Sequence, residues 1–142
     1  MAAGDLTLFE QLSAEISNIH DLDADTIKIA LITAAVAPTA ADATATPFST
    51  YTQIAGTGGY TTGGTDISAT FVEAGGTGTF DGTNVTWSKN ASSPTNARYA
   101  IIYNDTAASD NSIAFIDLGA TIDMTAGDLT INFNASGIFT LA

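Results

Sequence analysis

The stretch Thr26 to Thr33, TIKIALIT, is apolar at Ile27, Ile29 and Leu31 and again at Ala30 and Ile32. Successive side chains of a strand point to opposite faces, so a run that is apolar in both sets reads as a strand covered on both sides. This is the expected first central strand. Its partners lie downstream: Asn84 to Ser88 (NVTWS), Arg98 to Asn104 (RYAIIYN), Ser112 to Leu118 (SIAFIDL), Asp128 to Asn134 (DLTINFN) and Gly137 to Leu141 (GIFTL) recur at spacings of roughly 8–14 residues. The 23 threonines and 13 glycines, beside only 3 prolines, favour β-branched strands joined by tight turns. The expected fold is all-β, an antiparallel β-sandwich of which a jelly roll is one form, with one short N-terminal α-helix.

Upstream the period changes. Leu6, Phe9, Leu12, Ile16 and Ile19 recur three or four apart, and Thr7 with Glu10 has the form of a capping box, so a helix is expected near Leu8 to Asn18. Residues 1–24 then form a helix and acidic connector, packed on the sandwich or swapped between subunits, and residues 25–142 form the sandwich itself. From Ala34 to Ser49 the chain is rich in Ala, Thr and Pro and reads as a long surface loop. Two glycine clusters, Gly56 to Gly64 (GTGGYTTGG) and Gly75 to Gly78 (GGTG), read as hairpin turns that need positive φ, with a strand through Ile67, Ala69 and Phe71 between them. On Leu129 to Asn134, Leu129, Ile131 and Phe133 should be buried and Thr130, Asn132 and Asn134 wet; Asn134 to Gly137 (NASG) should close a hairpin.

The 142 residues suit one core, and a chain 45% hydrophobic with mean hydropathy +0.22 is expected to pack rather than stay disordered. Fifteen acids face three bases, a net charge of -12, which argues against nucleic acid or an anionic membrane as partner. Without cysteine there is neither a disulfide nor thiol chemistry. No apolar run reaches the roughly 18 residues of a membrane span, and MAAGDLTLFEQL lacks the basic and apolar regions of an export signal.

Residues that carry chemistry elsewhere lack their companions here. Asp21, Asp23 and Asp25 open like a calcium loop, but Thr26 stands where the glycine belongs and Ile32 where the closing Glu belongs. GTGGYTTGG lacks the lysine of a phosphate loop. The single histidine, His20, is expected at a helix C-terminus, where it favours the dipole. Lys28 and Lys89 carry no isopeptide motif, and the N-x-[ST] triplets at Asn84, Asn90, Asn104 and Asn134 fit chance in a Thr-rich chain. Trp87, the sole tryptophan, is expected in the core. No catalytic, cofactor-binding or metal-binding residue is expected.

Several stretches together resemble small virion proteins of tailed bacteriophages: DTIKIALIT (25–33), GTGGYTTGG (56–64), VTWS (85–88), ARYAIIYNDT (97–106), IDLGA (116–120) and LTINFNASGIFTL (129–141). The resemblance implies a structural protein of the decoration, or cement, type, with no catalytic or metal residue to carry over. It would bind the major capsid protein on the outer surface of the head as a homo-oligomer, a trimer where sites lie on three-fold axes, after assembly in the host cytoplasm. A tail tube, head–tail connector or fibre-associated subunit is the alternative. Candidate assembly contacts are Phe9, Leu12, Ile16, Val36 and Phe48, from the two stretches that the sandwich explains least.

Overall fold

In the computed structural model, residues 6–42 and 47–142 are described, with the side chains of 47 and 48 outside that description. The elements run β1 (Leu6–Leu8), α1 (Leu12–Glu15), β2 (Ile27–Ile32), α2 (Pro47–Thr50), β3 (Thr65–Asp66), β4 (Thr70–Ala74), β5 (Thr77–Asp81), β6 (Val85–Trp87), β7 (Ala97–Asn104), β8 (Ser112–Ile122), β9 (Leu129–Ile131) and β10 (Phe139–Leu141). They form an antiparallel five-stranded sheet in the order β1-β8-β7-β2-β3, a three-stranded sheet β10-β5-β4 and the pair β6-β9. The fold is all-β and sandwich-like.

β2 is covered on both faces, as its pattern requires. Ile27, Ile29 and Leu31 join Ala100, Ile102, Ala114 and Ile116 against Phe80, Val85, Trp87, Leu129, Ile131 and Phe139 of the two smaller sheets. This is the main core, and Trp87 lies within it. Ala30 and Ile32 face the other way, with Ile101, Tyr103 and Phe115, and are closed over by Phe9 and Tyr51. The Phe9 and Phe115 rings meet at a centroid distance of 5.3 Å. β9 is shorter than the stretch expected, and the alternation holds in part: Leu129 and Ile131 are buried and Asn132 and Asn134 beyond the strand are exposed, while Thr130 and Phe133 are both half-buried.

The helix expected over Leu8 to Asn18 contracts to the four residues of α1 and a following turn. Leu6 to Leu8 instead pair with Ile116 to Ala114, so Thr7 is a strand residue opposite Phe115 and caps nothing. An edge of β8 satisfies those backbone groups, and tertiary pairing overrides the weak local preference of a short helix. Phe9 and Leu12 are consequently core residues of the monomer, at 2% and 5% exposure. Leu12→Ala is expected to cost about 2.5 kcal/mol in chemical denaturation of the isolated chain. Deleting residues 1–20 should unfold the sheet rather than merely release a neighbouring subunit.

The turns divide in two. Gly75 and Gly76, at φ 61° and 87°, make the two-residue connection of the β4-β5 hairpin, with Ala74 opposite Thr77. Gly56 to Gly64 is not a hairpin turn: Gln53 before it bridges Ile32, and Thr65 after it pairs with Ile29, so both flank the same edge of β2. The loop between them folds back onto that edge, and the buried Tyr60 hydroxyl accepts the Leu31 N–H at 2.9 Å. Burial pushes the Tyr60 phenol up to about 12, so the group stays neutral. The strand expected through Ile67 to Phe71 is two strands in different sheets, broken at Ser68, whose φ of 48° is held by its N–H bonding Asp66 Oδ1. Asn134 to Gly137 is a turn, with Gly137 N–H on Asn134 O, but it joins β9 to β10 across two sheets rather than closing a hairpin.

Candidate docking surfaces

Among the described residues no three His, Cys, Asp or Glu side chains gather as a metal site. Two of the three acids of the 21–25 connector, Asp21 and Asp25, are occupied in holding the turn. Asp25 Oδ2 accepts the Asp21 N–H at 2.9 Å and Asp21 Oδ1 accepts the Asp23 N–H at 3.3 Å. Asp25 Oδ2 also accepts Asn104 Nδ2 at 2.6 Å, which ties the connector to the end of β7.

His20 does not cap a helix, because α1 ends at Glu15. Its ring is buried, with Nε2 3.3 Å from Glu15 Oε2 and Nδ1 3.1 Å from Asn104 Nδ2. Glu15 Oε1 accepts Gln11 Nε2 at 2.8 Å and Asn111 Nδ2 at 3.0 Å. Burial lowers the imidazole pKa, against the pull of Glu15 and Asp25. The Asn104 amide can only donate to Nδ1, since its oxygen accepts the N–H groups of Thr106 and Ala107 at 2.9 and 3.1 Å. The neutral tautomer with its proton on Nε2 satisfies every atom, which makes this a structural network.

Two bases are committed to ion pairs. Lys28 Nζ lies 2.8 Å from Asp105, and Arg98 binds both oxygens of Asp117 while lying over the Tyr99 ring at 4.6 Å. Hydrogen bonding to Arg98 lowers the Asp117 pKa. Arg98→Ala should cost under about 1 kcal/mol in thermal melts, since surface pairs contribute little. Lys89 is exposed, beside the β6-β9 pair.

The expected assembly contacts scatter. Phe9 and Leu12 are in the core, Ile16 is half-buried against it, and the Phe48 side chain lies outside the described residues. Only Val36 is openly exposed, at 43%, in the uncharged run Ala34, Ala35, Val36, Ala37. The base of this loop is anchored: Pro38 is buried, Glu10 N–H bonds Ala40 O, and Tyr51 Oη donates to Asp42 at 2.5 Å. Ala34 to Ala37 thus form a protrusion on a fixed base.

A second surface was not among the sequence candidates. A groove of about 700 Å³ runs between residues 16–25 and the ends of β4 and β10, lined by Ile16, Ile19, Leu22, Phe71 and Leu141 with Asp21, Asp23 and Asp25 at its side. Ile19 and Leu141 are 37% and 41% exposed. Leu141 stands open because its partner on β5 is Gly78, over which the Phe71 ring lies. The alternation of GIFTL points Leu141 to the same side as the buried Phe139, and the glycine opposite was the signal that nothing there would cover it. Compared with protein families, curated proteins and solved structures, the chain matches none.

Proposed function

We propose that the protein is a non-enzymatic structural component of a tailed-bacteriophage virion, a decoration protein that binds the major capsid protein on the outer surface of the assembled head as a homo-oligomer, most simply a trimer. The observation that carries the reading is the Ala34 to Ala37 protrusion: four successive exposed, uncharged residues on an anchored base, in a chain of net charge -12. Such a segment can meet a protein surface without like-charge repulsion, and symmetry multiplies a modest contact. The series of motifs that resemble those of phage virion proteins supports the same reading, and a sheet buried on both faces gives a rigid body suited to a cement.

The test is to prepare particles lacking the protein and add it back. Intact heads that lose heat resistance, and regain it on addition, are expected. Val36→Asp should leave the melting temperature within about 2 °C, because surface changes alter stability by under about 0.5 kcal/mol, and should weaken particle binding about tenfold or more. Heads that fail to join tails would instead assign the protein to the connector or tail, and wild-type protein that does not bind the particles would defeat the reading.

A further inference from the structure

We propose that the groove between residues 16–25 and the ends of β4 and β10 is the docking site for a cationic segment of a partner protein that carries one aliphatic anchor side chain. The floor supplies the apolar half of the recognition. Four large apolar side chains are exposed among the described residues, and two of them, Ile19 and Leu141, share this groove, whereas Val36 and Val72 lie apart from it. Phe71 and Ile16, both half-buried, complete a floor wide enough to take a leucine-sized group.

The rim supplies the charge. Asp21, Asp23 and Asp25 are among the lining residues and no lysine or arginine is; His20, the remaining titratable group there, is buried and held neutral. Asp21 and Asp25 each spend one oxygen on the connector, while the exposed Asp23 carboxylate accepts no hydrogen bond among the described residues. The chain's own cations cannot neutralise this rim, since Lys28 and Arg98 are committed to Asp105 and Asp117 and Lys89 lies at β6-β9. A second copy is a poor occupant of this groove because it has no cationic segment to offer, its three bases being scattered and two of them held in ion pairs, and an anionic ligand is worse. A bare metal ion gains nothing from an apolar floor. The chemistry left is lysine or arginine flanking an aliphatic side chain, with the bases on the aspartates and the anchor between Ile19 and Leu141.

The inference stands apart from the virion reading and is tested on the isolated full chain. The ¹⁵N-labelled protein is titrated with three capped pentapeptides, Lys-Lys-Leu-Lys-Lys, Lys-Lys-Ser-Lys-Lys and Glu-Glu-Leu-Glu-Glu, and with spermine. Amide shifts should concentrate at residues 16–25, 71 and 141, with the lysine–leucine peptide bound about fivefold tighter than its serine counterpart. Ile19→Ser, and independently Leu141→Ser, should abolish that preference while the rest of the spectrum is unchanged. Asp23→Asn should weaken both cationic peptides and flatten their salt dependence. The proposal is overturned by absence of binding, by equal affinity for the leucine and serine peptides or spermine, by binding of the acidic peptide, or by shifts spread equally over Glu73, Asp81 and Asp128, which would mark unspecific attraction of a polycation to an acidic protein.

Discussion

Gly64→Ala is expected to destabilise the fold by about 4 kcal/mol, lowering the melting temperature by roughly 10 °C or more. Gly64 has φ +78°, a region in which a Cβ is strained, and that Cβ would lie 1.8 Å from Ile29 O, 2.6 Å from Ile29 C and 2.7 Å from Ala30 Cα. All three obstacles are backbone atoms of β2, the strand around which both cores are built, so no rotamer change relieves the clash. Either the 56–64 loop lifts, or β2 moves. Lifting the loop withdraws the Tyr60 hydroxyl from the Leu31 N–H and the Gly63 carbonyl from the Tyr103 hydroxyl, which donates to it at 2.7 Å. Gly75→Ala is the control: φ is similarly positive at 61°, but nothing lies within 4 Å of the added carbon. It should cost only about 1 kcal/mol, the backbone strain alone. Urea denaturation of both variants checks the pair, and equal losses would show that close approach to β2 plays no part.

The same comparison explains what the sequence could reveal. A run apolar on both alternating sets, such as TIKIALIT, has one physical solution, and RYAIIYN and SIAFIDL satisfy it as adjacent strands. GTGGYTTGG announces unusual backbone, but positive φ is equally compatible with a hairpin and with a loop folded onto a strand edge. The choice depends on Ile29 and Leu31, about thirty residues away in the chain, and no local pattern carries it. NASG likewise specifies a turn without specifying whether its flanking strands pair.

The N-terminal segment failed for a related reason. The spacing of Leu6, Phe9, Leu12, Ile16 and Ile19 fits a helical stripe, yet Leu6 and Leu8 are better used on the open edge of β8, and Phe9 then closes the second face of the large sheet. A short helix is marginal by itself, so a free edge decides the matter. Of the contacts expected from the stripe, Phe9 and Leu12 are therefore core residues and Ile16 is half-buried, while Ile19, a stripe residue outside that set, is exposed beside the acidic connector, whose charges are legible in the sequence and whose neighbours Phe71 and Leu141 are not. The exposure of Val36 was legible because a short apolar run between turn-forming residues has no strand or helix to bury it.

Acid should weaken this protein through His20, and the sign follows from the geometry. Burial holds the folded imidazole pKa below its ordinary 6.5, so the unfolded chain takes up the proton first. Stability is then complete above about 6.5 and is lost as the pH falls through that value toward the lower folded pKa. The bonding explains why the proton is unwelcome: a cationic ring would turn Nδ1–H toward the Asn104 amide, and that amide cannot reverse without taking its oxygen from Thr106 and Ala107. Asp117 and Asp123, lowered by hydrogen bonds to Arg98 and Thr125, act only below 3.8, outside this window. His20→Gln keeps one donor and one acceptor and should flatten the melting temperature between pH 7 and 5, read at about one-unit steps. Asn104→Leu leaves His20 Nδ1 and two backbone N–H groups without partners and takes one of two donors from Asp25 Oδ2, and should cost about 3 kcal/mol at pH 7. Asn104→Asp is the sharper probe: its new oxygen faces both Nδ1 and the Asp25 carboxylate, so at pH 7 it meets like charge and at pH 5 a protonated ring can donate Nδ1–H to it, and acidification to pH 5 should stabilise this variant relative to its own value at pH 7. If wild type and His20→Gln lose stability in parallel over that range, the acid response does not belong to His20.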